Sequence, residues 1–397
     1  MNMQIDDPEN KNPKGFALFA LGFRPFFLLA AFAAPVLLFL WLMQLTGKIS
    51  VSGYYSPTGW HAHEMLFGYT VAVIAGFLLT ATGNWTGKKM ISGVQLLILS
   101  LVFLSARIAP FMTDLPNGLI AFLDLSFIPL VAFLVAVPVI RAKQWSNIIF
   151  VPLLLTMAAA NLMVHLSALG LINSSIVTGN RIMLYLVILL IVIMGGRVIP
   201  FFTERGVNGV TTKKWKWIEI LSPASVILVV VADITLTQKV IIGYLALFAA
   251  LVHFIRLAGW YSNKIWSVPL VWILQVAYFW FVIGFILKSL IIFDLTQNIL
   301  SYHAFTVGGV GIMTLGMMAR VSLGHTGREM KLNRWMVLSF VLINVAAVIR
   351  VILPMFMTDS YMQLIQVAGW LWVFAFIIYV IVYTPMWLRP RVDGRPG

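Results

Sequence analysis

Trp60-His61-Ala62-His63-Glu64-Met65-Leu66-Phe67-Gly68-Tyr69 opens an apolar run that reaches Gly83. A helix crosses the hydrocarbon core with roughly 20 apolar residues, so the run reads as a transmembrane helix. It begins with two histidines and a glutamate, and ionisable groups at a membrane helix are costly and mark function. A second run opens in the same way, with His303-Ala304-Phe305-Thr306-Val307-Gly308-Gly309. With His63 set on His303, an offset of 240, the two runs stay in step without a gap. Gly68 falls on Gly308, Gly76 on Gly316, Thr86 on Thr326, Gly87 on Gly327 and Lys88 on Arg328. The register predicts equivalent helices in a repeated membrane architecture, with facing histidines able to hold a metal centre.

The rest of the chain has the same character. Of 397 residues, 61% are hydrophobic and only 10% charged, with a mean hydropathy of +0.97. This is the composition of a polytopic membrane protein. Twelve apolar spans are predicted, at about 22–44, 61–83, 90–109, 117–140, 147–171, 181–203, 217–236, 240–258, 266–290, 299–321, 335–353 and 363–387. Short loops between them force an up-and-down all-α bundle, one integral-membrane domain over residues 1–397. The longest polar stretch, Met1 to Gly15, carries Asp6, Asp7 and Glu9 and lacks the basic start and cleavage site of a signal peptide. There is no cysteine, which excludes disulfides, thiolate ligands, iron–sulfur clusters and thioether-linked haem. Any haem is held non-covalently, as a b-type group.

A net charge of +14 raises the question of nucleic acid, and its distribution answers it. On this topology only Lys48, Arg107, Arg181, Lys239, Lys288 and Arg350 of the 27 basic residues fall on one side. The other 21 fall on the opposite side, which the positive-inside rule makes cytoplasmic, with both termini there. The excess is a topology signal with the bilayer as partner.

The repeat extends further. Met194-Gly195-Gly196-Arg197-Val198 matches Met317-Met318-Ala319-Arg320-Val321 at the ends of spans six and ten. Pro25, Pro152 and Pro269 stand near the starts of spans one, five and nine, and Arg107 and Arg350 close spans three and eleven. These matches predict three four-helix repeats.

Four of six histidines, His61, His63, His165 and His303, fall at the outer ends of spans; His253 and His325 fall towards the cytoplasm and read as interfacial polar residues. Imidazole suits haem iron, copper and zinc. His61 and His63 stand roughly 200° apart around a regular helix, so they cannot share one axial site. His63 with His303 is the predicted axial pair of a haem. His61 and His165 remain for a second metal site, with Glu64 or Met65 nearby. The middle repeat has Asn180 at the equivalent place. Haem propionates need cations, and arginine forks match carboxylates; Arg107, Arg181 and Arg350 are the outer candidates. Asp124 and Glu64 are carboxylates able to orient a ligand imidazole. Gly68, Gly76, Gly308, Gly309, Gly311 and Gly316 either let helices approach closely or leave room for a flat macrocycle. No catalytic residue can be assigned.

Several stretches together resemble the NnrS family: Gly22-Phe23-Arg24-Pro25-Phe26-Phe27, Trp60-His61-Ala62-His63-Glu64-Met65, Asn84-Trp85-Thr86-Gly87, Gly196-Arg197-Val198-Ile199-Pro200-Phe201-Phe202-Thr203, and His303-Ala304-Phe305-Thr306 through to Gly324-His325-Thr326-Gly327-Arg328. The resemblance implies a twelve-span inner-membrane protein containing haem and copper, acting in the response to nitric oxide or in denitrification. The arrangement of haem histidines on spans two and ten is also similar to the catalytic subunit of haem–copper oxidases. There the copper histidines lie on spans six and seven; this chain has none on either, which argues against a reductase of that type. A membrane oxidoreductase with an unidentified electron donor is one class this leaves open. A secondary transporter is the alternative, since twelve spans with repeats are common there.

Overall fold

The computed structural model describes residues 15–50, 53–112, 114–173 and 175–395. Residues 1–14 of the polar N-terminal stretch, with Lys11, Lys14 and its three acidic residues, lie outside them. Among the described residues there are helices and no strands. Twelve helices are long and apolar enough to span a bilayer: α1 Phe23–Leu45, α2 Pro57–Thr86, α3 Val94–Phe111, α4 Asn117–Arg141, α5 Trp145–Ala168, α6 Ile176–Gly206, α7 Lys216–Thr235, α8 Lys239–Trp260, α9 Pro269–Phe293, α10 Asn298–His325, α11 Arg334–Met355 and α12 Thr358–Leu388. Every span expected from hydropathy is present, with ends shifted by five residues or fewer.

Local chemistry explains how α2, the first histidine helix, starts and stops. Ser56 caps it, its Oγ accepting from the Gly59 N–H at 3.2 Å, and Pro57 occupies the first turn, where its missing N–H costs nothing. Gly87 closes it in the left-handed conformation, φ +63°. α11 is capped by Asn333, whose Oδ1 accepts from the Met336 N–H at 2.9 Å. Prolines 35, 129, 138, 200 and 223 sit inside spanning helices, which membrane helices tolerate.

The chain forms two compact units. The first comprises Met1–Met183, Arg320–Met330 and Tyr379–Gly397; the second comprises Leu184–Ala319 and Lys331–Ile378. In the first unit α1 packs on α2, α2 on α4, and α4 on both α3 and α5. In the second, α8 packs between α7 and α9, and α10 packs on α9 and α11. The two histidine helices are the most enclosed. In α2 89% and in α10 83% of the apolar window is buried, against 33–72% in the other ten.

Both histidine helices widen into a π-helix directly after the histidine. The segments are Glu64–Thr70 and Ala304–Gly311, and they start 240 residues apart, the offset read from the sequence. A π-turn accommodates one extra residue per turn and recurs at functional sites. The glycines of these helices are packed against side chains, so the slot for a macrocycle is not at the glycine faces. A side chain on Gly308 would strike the Trp280 ring, one on Gly309 the Phe281 ring and one on Gly311 the Trp372 ring. Gly76 faces Phe26 and Phe27 in the same way. Close helix approach is therefore what the small residues provide.

Within the first unit the start of α1, the end of α10 and the end of α12 lie together. The Ala17 N–H donates to the Leu388 carbonyl at 2.9 Å, and Val392 N–H to the Thr326 carbonyl at 3.2 Å. Arg24 is fully buried, and its guanidinium donates to the Met386, Trp387 and Arg389 carbonyls at 3.2, 2.9 and 2.8 Å. It caps the C-terminus of α12, whose last carbonyls have no partner within the helix. The second unit has buried ion pairs of its own. Lys288 pairs with Asp233 at 2.5 Å, and Arg256 pairs with Glu219 across Gly196, where any side chain would meet the guanidinium.

Candidate metal centre

The first unit buries a cluster of charged and polar side chains supplied by α2, α3, α4, α5 and the loop ahead of α2. It lies within about two helical turns of one end of these helices. His63, Glu64, Asp124, Asn161 and His165 are all buried. His63 Nδ1 faces Glu64 Oε1 at 3.2 Å. Its Nε2 faces Asp124 Oδ2 at 3.1 Å, Asn161 Oδ1 at 3.1 Å and the Tyr55 hydroxyl at 3.3 Å. His165 Nδ1 faces the Tyr54 hydroxyl at 2.8 Å, and its Nε2 faces the same Asp124 Oδ2 at 2.8 Å.

Both imidazoles thus aim Nε2 at one carboxylate oxygen while an outer oxygen holds Nδ1. That is how proteins fix the ring and tautomer of metal-ligating histidines. One ligand atom from each of His63, Asp124 and His165 lies within 4.8 Å of the other two. Two imidazoles and a carboxylate suit zinc, iron or oxidised copper, while the absence of cysteine leaves no thiolate for softer ions.

Arg107 completes the cluster from α3. Its Nη1 donates to Glu64 at 3.0 Å, and its Nη2 pairs with Asp124. Gly68 makes room: a Cβ there would stand 3.1 Å from both Arg107 Nη1 and Glu64 Oε2. Asn161 steadies the carboxylate, donating to Asp124 Oδ2 at 2.8 Å. Two carboxylates face one guanidinium here, so a cation or a proton on an imidazole would balance the second carboxylate. Tyr54 and Tyr55 close it from the loop. Burial raises the Tyr54 phenol to about 12; burial first and the Glu64 charge second raise Tyr55 well above the ordinary range.

His61 and His63 diverge, as their spacing requires. His61 stacks on Trp41 of α1, ring centres 4.6 Å apart and planes 12° apart, and it is not one of the three clustered ligands. His165 instead clusters with His63. Arg107 serves the two carboxylates. Arg181 is half-buried in α6 of the first unit.

In the second unit His303 is half-buried. Its Nδ1 donates to the Ile299 carbonyl at 2.8 Å. Its Nε2 therefore keeps the lone pair, and the Arg350 guanidinium approaches it at 3.2 Å. Arg350 also donates to the Tyr361 hydroxyl at 3.4 Å. An imidazole oriented by a backbone carbonyl, with an arginine alongside, has the groups that haem iron and a propionate would use. His253 is fully buried, not interfacial. It shares a 2.7 Å hydrogen bond with Tyr278 and stacks on Phe285. His325 is half-buried beside Phe23.

Asn161, Tyr54 and Tyr55 were not singled out from sequence. Asn161 stands four residues before His165, on the same face of α5, and that spacing was a usable signal. The tyrosines carry no such signal, because their place depends on how the loop folds over α5.

No curated protein matches the chain. The sequence pattern of the NnrS protein family matches residues 17–391. With twelve membrane-spanning helices and a buried group able to hold a metal ion, the chain belongs to the NnrS family of nitric oxide-related membrane proteins.

Proposed function

We propose that this is a haem- and copper-binding protein of the bacterial cytoplasmic membrane, acting in the nitric oxide response or denitrification through redox chemistry. In this reading His63, Asp124 and His165 hold the copper ion and His303 holds haem iron, with Arg350 available to a propionate. The observation that carries it is the convergence of two Nε2 atoms and one carboxylate oxygen in a buried cluster. Copper bound there would supply one-electron chemistry and a coordination position for a diatomic molecule. The protein's own groups orient the imidazoles through Glu64 and Tyr54, fix Asp124 through Arg107 and Asn161, and keep bulk water out by burial.

For His63 the surroundings favour a small ion. Asn161, Asp124 and Tyr55 already stand against Nε2, where a macrocycle would have to displace them. The transporter alternative expects charged groups near the membrane midplane, and this cluster lies near the helix ends.

The test measures metal content and the optical spectrum of purified protein. His165→Ala and Asp124→Asn should remove copper and spare the haem band, and His303→Ala should do the reverse. His61→Ala should affect neither strongly. His63→Ala discriminates: loss of copper alone assigns it to the small ion, and loss of low-spin haem assigns it to the iron as the register with His303 predicts. Absence of both haem and copper after expression with adequate supply would overturn the reading.

A further inference from the structure

We infer that the groove between α1 and α12, at the basic end of the first unit, binds one anionic phospholipid. The groove has a volume of about 440 Å³. Phe32 of α1 and Ile381, Pro385 and Leu388 of α12 line it, and Arg389 stands at its mouth. Phe32 and Ile381 are exposed on membrane-spanning helices, so this wall faces lipid. The surface offers an acyl chain a recess instead of a flat helix face.

Two polar features distinguish the recess from ordinary lipid-facing surface. Pro385 has no N–H to give the Ile381 carbonyl one turn below it. Thr384, beside it in the groove wall, has a buried hydroxyl with no hydrogen-bond partner. In a membrane such groups need a partner. Turned into the groove, the Thr384 hydroxyl donates to a glycerol ester carbonyl, and a polyol headgroup donates to the Ile381 carbonyl. Thr384 lies about 7 Å below Arg389 along the helix, the spacing of an ester group below a phosphate.

The charge supplies the headgroup selectivity. Arg328 lies near Arg389; burial, and then the charge of Arg389, lower its pKa. The nearby carboxylate, Asp393, is committed to Arg391 at 2.6 Å. Among the described residues no carboxylate forms an ion pair with Arg328 or Arg389. The Arg389 guanidinium at the mouth of an apolar recess, with the Arg328 charge close enough to act on it, complements a phosphodiester on a diacyl tail.

Native mass spectrometry of the detergent-purified protein tests this, with phosphatidylglycerol and phosphatidylcholine of matched acyl chains added in competition. Wild type should retain one phosphatidylglycerol in preference to phosphatidylcholine. Each basic residue near an anionic headgroup contributes about fivefold, so Arg328→Gln with Arg389→Gln should reduce that preference about thirtyfold. Arg334→Gln, which removes a basic residue of the second unit, should leave it unchanged. Ile381→Trp fills the recess and should release the lipid in protein that remains monodisperse. Equal retention of both lipids by wild type, or an unchanged preference in the double variant, would overturn the site. Undiminished retention in Ile381→Trp would reduce it to surface charge and overturn the groove.

Discussion

Replacing Arg107 with Met leaves Glu64 and Asp124 buried without the guanidinium they share. Removing one partner from a buried ion pair costs about 3–5 kcal/mol, far more than an exposed pair is worth. Thermal unfolding in detergent should show a loss of that order in Arg107→Met, and added copper should stabilise this variant more than wild type. Equal responses to copper would mean that no cation enters the cluster. Tyr54 gives a pH signature. Its phenol is raised by burial to about 12, against about 10 when exposed, so the folded protein holds the proton more tightly than the unfolded chain. That contribution is complete below about pH 10 and is lost as pH rises through about 12. The stability of wild type minus that of Tyr54→Phe should therefore be flat to about pH 10 and fall above it. A difference that stays flat to pH 12 would contradict the burial of that hydroxyl.

At the scale of elements, the π-turns are the feature that hydropathy does not reveal. Apolar length located all twelve helices, because burial in lipid demands runs of fixed length whatever the neighbours. Gly68 and Gly308 marked the equivalence of α2 and α10, but a π-turn is a backbone register and leaves no compositional trace. The site was half legible for a related reason. His63, His165, Asp124 and Glu64 stood out as ionisable groups in apolar runs. Which of them meet depends on α4 packing against both α2 and α5, and nothing in the spacing of His61, His63 and His165 says that His165 reaches His63. The π-turn itself can be tested. Deleting Met65 from Glu64–Thr70 removes the extra residue that the wide turn accommodates, so the segment closes to an ordinary helix and the local aim of His63 and Glu64 changes. The protein should still insert, and its metal content should fall by more than half. Unchanged metal content would show that the wide turn does not aim the ligands.

For the whole molecule, the even number of spans and the hydrogen bonds joining Ala17 and Arg24 to residues 386–389 put the first and the last described residues on one side. The positive-inside rule predicts that this side is the cytoplasmic one. Reporter fusions after residue 395 and in the loop at Ser56 should report opposite sides; the same side for both would refute the topology. Charge alone is a partial guide here, since Arg256 and Lys288 counted as loop charges in the sequence and are buried partners of Glu219 and Asp233. Arg24 adds an order in time. A ribosome delivers α1 to the membrane before any other helix, with a guanidinium whose acceptors are the carbonyls of Met386, Trp387 and Arg389. Until those residues emerge, the charge must stay with water or lipid headgroups, because an unpaired arginine is not tolerated in the hydrocarbon. A chain stopped short of Met386 never receives them. Its first helix keeps a guanidinium without those acceptors, so the helix made first is completed by the segment made last.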